Sequence, residues 1–70
     1  MTGHEWIEAF ARELGVDAPS AALVDELLAL AGEAAHASER IAAPITCYLV
    51  GAAGADLATA RRAAASVSVS

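Results

Sequence analysis

Two basic side chains near the middle of the sequence, His36 and Arg40, are the first candidates for binding chemistry. They lie four residues apart near a predicted helix end, and the acidic residues Glu33 and Glu39 complete a small ionic cluster. Such a cluster suits contact with an anion or phosphate group, or a charge change near neutral pH. Cations are also favoured at the negative end of a helix without any ligand. We prefer this second interpretation, because exposed charge pairs contribute little.

Cys47 is the only cysteine in the sequence. A nucleophilic cysteine needs a lowered pKa, from a helix N-terminus or a neighbouring base. Cys47 lies about one turn into a helix that is predicted to start near Pro44, but no Cys-His-Asn motif accompanies it. Free cysteine is among the most buried residue types. We therefore expect Cys47 to have a packing role, and a single cysteine without disulfide chemistry suits a reducing cytoplasm.

The remaining polar residues do not form a recognisable active site. General acid/base catalysis needs two carboxyl groups with different pKa values in a concave pocket, which so small a domain rarely encloses. We expect a solvated acidic face formed by Glu5, Glu8, Glu13, Asp25 and Glu26. The cysteine and the two histidines lack the spacing of a zinc site. The sequence thus predicts no enzyme, no metal and no cofactor.

Trp6 and Phe10 form the clearest aromatic pair, four residues apart near the N-terminus. We expect them to anchor the first helix in the core. The alternative is an exposed patch, in which Trp6 would be a hot spot for binding a partner. A positive mean hydropathy of +0.50 keeps this alternative open, because a small domain cannot hide all its apolar groups.

Composition excludes several functional classes. The net charge is −5, with four arginines and no lysine, which argues against binding nucleic acid or an anionic membrane surface. The hydrophobic fraction is 57%, but half of those residues are alanine, which removes little area from water. The N-terminus lacks the pattern of a secretion signal, and no stretch is long enough to span a membrane. We expect a soluble, cytoplasmic protein that does not bind membranes.

Residues that favour the start or the end of a helix recur along the whole chain. Thr2 and Glu5 have the spacing of a capping box, and Gly15 is a natural C-terminal cap, so the first helix is predicted over residues 3–14. The second is predicted to start after Ser20 and run to about residue 37, with Gly32 marking a close helix crossing. Residues 38–43 are predicted to be a connector, because a proline disfavours helical geometry in the residue before it.

The third helix is predicted to begin near Pro44 and to end near Gly54. Its apolar face is predicted to consist of Ile45, Tyr48, Leu49 and Ala52. Asp56 can cap a short fourth helix. The predicted fold is therefore all-α, a compact bundle of three to four short helices, with one domain over residues 1–65. Residues 66–70 are expected to fray or to extend the last helix weakly.

Several segments resemble a small helical family of unknown function, which occurs in actinobacteria alone or fused C-terminally to molybdenum-cofactor guanylyltransferase-like proteins. The similarity covers about residues 2–65. It is carried by the segments His4–Ile7, Ala34–His36, Ala42–Thr46 and Tyr48–Gly51, together with Arg40. Members of the family often have proline where this chain has Ile41, which leaves the conformation of the connector open.

The resemblance implies a context rather than a reaction. It suggests an accessory module in molybdenum-cofactor maturation or molybdoenzyme assembly, with no catalytic residues. A binding surface would include His36, Arg40, Pro44 and Thr46, with Trp6 as a further candidate from the aromatic pair. We therefore predict a non-enzymatic module that binds a protein partner. The alternatives are a self-associating structural domain or homo-oligomer and, less favoured, a small-ligand or anion binder using His36 and Arg40.

Overall fold

The computed structural model describes residues 1–68 of the 70-residue chain. Four α-helices and no strand occur within that range, so the predicted all-α fold is confirmed as a compact bundle of four short helices. The helices are α1 (Gly3–Leu14), α2 (Ala21–Ala37), α3 (Ala42–Ala53) and α4 (Leu57–Ser68).

The two ends of α1 follow the predicted capping chemistry. The Glu5 N–H donates to Thr2 Oγ1 at 3.1 Å, and the Thr2 N–H donates to Glu5 Oε1 at 2.7 Å, which completes the capping box. At the other end Gly15 adopts the left-handed conformation, with φ of 77°. Its N–H and that of Val16 donate to carbonyls of the last turn, which is the Schellman arrangement. The boundaries of the first helix are therefore confirmed.

The start and end of α2 are also confirmed, but the interpretation of Gly32 is wrong. Ser20 caps the helix, because its Oγ accepts from the Leu23 N–H at 3.1 Å. A Cβ atom built on Gly32 meets nothing within 4 Å. Among the described residues no helix approaches closely at this point, so close helix packing does not explain the glycine at position 32.

The connector before α3 is shorter than predicted. The helix begins at Ala42, because the N–H groups of Ala42 and Ala43 donate to the carbonyls of Glu39 and Arg40 at 3.0 and 3.2 Å. These bonds outweigh the steric preference that Pro44 imposes on the residue before it. Pro44 still lies in the first helical turn, as expected, where a missing N–H does no harm.

The face of α3 that packs inward is not the predicted one. Ile45, Tyr48 and Leu49 were expected to be buried, but they are 58%, 70% and 58% exposed. Thr46 and Cys47 are half-buried instead, and Cys47 Sγ lies 4.0 Å from the Leu27 carbonyl oxygen of α2. Small side chains let the two backbones approach closely, and the large apolar residues point elsewhere.

The fourth helix is capped as predicted and is longer than predicted. Asp56 Oδ1 accepts from the Thr59 N–H at 2.7 Å. The helix continues to Ser68, so the first three residues of the expected tail are helical. Fraying of this tail stays a prediction, and residues 69 and 70 lie outside the described residues.

The core is small and centres on α2, which packs against both α3 and α4. Leu30 is the only large side chain in the described part of the chain that is almost fully buried, with 1% exposure. Val24, Ala11 and Ala60 are the other buried apolar residues. Because α3 and α4 pack on α2 more than on each other, they leave a groove between them.

Candidate interaction surfaces

Helix α1 displays an exposed row of large apolar residues, which we call the α1 stripe: Trp6, Ile7, Phe10 and Leu14. The rings of Trp6 and Phe10 stack with centroids 5.0 Å apart and an angle of 17° between their planes. Trp6 is 56% exposed and Phe10 is 49% exposed. The prediction that the pair anchors α1 in the core is therefore wrong, and the exposed alternative describes the structure.

The exposure of the stripe follows from where α1 is attached. The helix contacts the start of α2 and the turn before it, around a small hollow of about 100 Å³ lined in part by Ile7, Pro19 and Val24. Within residues 1–68, α1 does not pack along another helix as α3 and α4 pack along α2. Only Ala11 of α1 is buried, and the aromatic rings of the stripe stack on each other.

A second exposed apolar surface lies where α2 passes into α3, and we call it the corner patch: Arg40, Ile41, Pro44, Ile45 and Tyr48. The last four residues have the spacing i, i+3, i+4 and i+7, which places them on one helical face. The N-terminal flanking residue Ile41 already has helical backbone angles, so the face is continuous. All five side chains are exposed.

The residues proposed from sequence as a binding set divide between two surfaces. Arg40 and Pro44 belong to the corner patch, and His36 lies exposed in the last turn of α2 just before it. Thr46 is half-buried and faces the groove between α3 and α4. Trp6 lies apart from these residues, on α1.

The groove between α3 and α4 has a volume of about 540 Å³, and we call it the alanine groove. Its walls are one face of α3 and one face of α4, and the end of α2 forms its floor. None of the described residues that line it is charged. The principal lining residues are Ala34, Thr46, Leu49, Val50, Ala60, Ala63, Ala64 and Val67.

Sequence reasoning missed the alanine groove. Its residues do recur at helical spacing in α4, where Ala60, Ala63, Ala64 and Val67 share one face. The same spacing is equally typical of a helix face that packs against a neighbouring helix and leaves no groove. The groove exists because α3 and α4 pack on α2 more than on each other, and local spacing does not encode this arrangement.

Charge is distributed unevenly over the helices. The first helix carries Glu5, Glu8 and Glu13 against Arg12 and His4, whereas α4 carries Arg61 and Arg62. Helix α3 has no acidic or basic side chain. The pKa of Glu5 is lowered by hydrogen bonds from Thr2, the backbone N–H first, and that of Asp56 is lowered in the same way by Thr59.

The other candidates for chemistry remain separate. The acidic residues expected to be solvated are exposed, as predicted, but Glu33 is half-buried, with its Oε2 shielded from solvent and without a hydrogen-bond partner. Cys47 is a half-buried free thiol. Residues 1–68 contain no group of three or more acidic, histidine or cysteine side chains able to hold a metal ion. Over the same range, every helix is too short or too polar to cross a lipid bilayer.

A family model described as a domain of unknown function (DUF6457) matches residues 1–70. Neither a curated protein nor a solved structure matches the chain.

Proposed function

Since the chain belongs to the DUF6457 family of domains of unknown function, we propose that it is a non-enzymatic protein-interaction module. The observation that carries this proposal is the corner patch, where Ile41, Ile45 and Tyr48 form an exposed apolar face at the first turns of α3. Isolated apolar residues on a surface need no explanation, but a contiguous group at one face favours a partner.

The chemistry of the corner patch resembles that of binding hot spots. Tyrosine and arginine are enriched among the residues whose loss costs most binding energy. Tyr48 offers a rigid ring and a hydroxyl group, and Arg40 lies at the polar edge of the patch. A partner surface with an apolar centre and a carboxylate at its rim would match both residues.

We further propose that this partner is a cytoplasmic protein of molybdenum-cofactor maturation or molybdoenzyme assembly. The support is the resemblance of this chain to domains found fused to molybdenum-cofactor guanylyltransferase-like proteins. Arg40, Pro44, Ile45 and Tyr48 of the corner patch lie in the segments that carry this resemblance, whereas Ile41 is the position where the chain departs from the family.

The test is affinity capture of the tagged chain from lysate of a native host, with quantitative mass spectrometry. We expect a molybdenum-cofactor protein to be enriched, and the paired variant Ile45→Ala with Tyr48→Ala to lose at least about 90% of it, as expected when two hot spots are removed. The matched control is Leu28→Ala, which removes an exposed apolar side chain from α2. Recovery of the bait alone, or equal capture by all three proteins, would contradict the proposal.

A further inference from the structure

We infer that the alanine groove is the docking site for the α1 helix of a second copy of this chain, so that two chains exchange their α1 helices reciprocally. This inference goes beyond the proposed function, because it uses the α1 stripe and the groove, and none of the corner patch. Both surfaces occur once on each chain. A two-fold symmetric dimer would therefore bury both of them twice, which is the usual closed arrangement of homodimers.

The two surfaces match in size and in length. From Trp6 to Leu14 the stripe is about 12 Å long, and the groove wall from Ala42 to Ala53 is about 16 Å long, at 1.5 Å per residue. The stripe presents large side chains, whereas the groove is lined mainly by alanine. Large residues at helical spacing entering an apolar groove are the usual mode by which an amphipathic helix is bound.

Charge favours α1 as the occupant. The chain is acidic overall, so two copies repel each other unless the contact is uncharged or its charges are opposite. The groove lining has no charge among its described residues. On the docking helix, Glu13 flanks the α1 stripe, whereas Glu5 and Glu8 lie on the opposite face. On α4, Arg61 lies at the edge of the face that lines the groove, and Arg62 lies on the far side. Seating the α1 stripe in the groove therefore turns Glu13 towards the groove edge where Arg61 lies, and leaves Glu5 and Glu8 in solvent.

The chain exposes more surface than a compact monomer of its size does. The accessible surface of the chain is 5266 Å², whereas a folded monomer of 7.0 kDa exposes about 4,000 Å². The excess of about 1,200 Å² over such a monomer is larger than the 800 Å² or so that each partner buries in a standard interface.

The experiment uses the fluorescence of Trp6, the only tryptophan in the chain, together with mass by light scattering. With rising concentration we expect the mass to double and the Trp6 emission to shift to the blue as the ring leaves water. Ala63→Leu, which obstructs the groove, should raise the dimer dissociation constant at least about tenfold. Ala65→Leu is the matched control, because Ala65 is also exposed on α4 but does not line the groove.

Mixing two defective variants tests the pairing of stripe with groove. The variant Trp6→Ala with Phe10→Ala keeps its groove but has no tryptophan. The Ala63→Leu variant keeps its stripe and supplies the only tryptophan in the mixture, which is excited selectively at about 295 nm. We expect a blue shift on mixing that neither protein shows alone. A dimer in which the two stripes meet each other would give no such shift and would overturn the inference.

Two further outcomes would also overturn it. If the wild-type chain stays monomeric with a red-shifted Trp6 emission, no second copy occupies the groove. If it stays monomeric with an emission that is blue-shifted at every concentration, its own α1 fills the groove. Neither result affects the proposed function, which is decided by capture through Ile45 and Tyr48.

Discussion

Trp6 and Phe10 stack on each other with ring centroids 5.0 Å apart, although about half of each side chain remains accessible to water. One turn of helix therefore supplies the aromatic contact, and no tertiary partner is required. Stacking covers one face of each ring, and the other surfaces remain open to a binding partner. This arrangement pre-orders two large side chains, so less conformational entropy is lost when they are buried by another molecule.

Truncation of this pair should be tolerated far better than truncation of the core. We expect Leu30→Ala to lower the free energy of unfolding by about 2–5 kcal/mol, because it leaves a cavity around a fully buried side chain. The total free energy of unfolding of a domain of this size is only about 3–10 kcal/mol, so much of the variant protein would be unfolded. Phe10→Ala should lower the free energy of unfolding of the monomer by less than about 1 kcal/mol. Urea denaturation at a concentration where the chain is monomeric separates the two, and equal losses would refute the central position of Leu30.

Gly32→Ala should stabilise the protein. The position is helical, a Cβ there meets nothing within 4 Å, and alanine is favoured over glycine by up to about 1 kcal/mol in a helix interior. Gly15→Ala should do the opposite, because Gly15 has a φ of 77°. Thermal melts of both variants measure these effects. A loss of stability in Gly32→Ala would mean that another helix does cross close to it.

Replacing Glu33 by methionine should also stabilise the protein, by about 1 kcal/mol. Its Oε2 is shielded from water and accepts no hydrogen bond, so the folded state carries a desolvation cost that an apolar side chain removes. Glu26→Met is the control, because Glu26 is exposed on the same helix. The melting temperature should rise in the first variant and stay nearly constant in the second. A fall for Glu33→Met would show that this carboxylate has a role in the folded state.

Acid should weaken the cap of α4. The pKa of Asp56 is lowered in the folded state by its bonds from Thr59, so this contribution is complete above the unfolded pKa of about 4 and is lost as the pH falls through the lower, folded value. Asp56→Asn keeps a capping oxygen that does not titrate. Between pH 6 and pH 2.5 the melting temperature of the variant should therefore fall less steeply than that of the wild type. Parallel curves would exclude a contribution of Asp56 to acid sensitivity.

Local signals in the sequence were sufficient to place most helix ends. Thr2, Gly15, Ser20 and Asp56 act on backbone groups within a few residues, so their roles depend little on the rest of the fold. Helix α3 begins two residues earlier than predicted, because hydrogen bonds to the carbonyl groups of Glu39 and Arg40 overcame the restriction from Pro44.

The assignment of buried faces was less successful. On α3 the large apolar residues repeat at helical spacing, but the face that packs is the one with Thr46 and Cys47. Periodicity shows which residues share a helix face. It does not decide whether the face of large apolar residues or the face of alanine and other small residues packs against a neighbouring helix. The same ambiguity hid the alanine groove and led to the expectation that Trp6 and Phe10 would be buried.

The position of α2 between α3 and α4 has a consequence for how the chain opens. Because both later helices pack on α2, neither can be released without exposing part of it, whereas α1 can detach with the loss of few tertiary contacts. Backbone amides of α2 around Leu30 should thus exchange their hydrogens only through global unfolding, and those of α1 through local opening. Helix α1, which we infer to dock on a second chain, is therefore also the helix whose release from its own chain requires the least free energy.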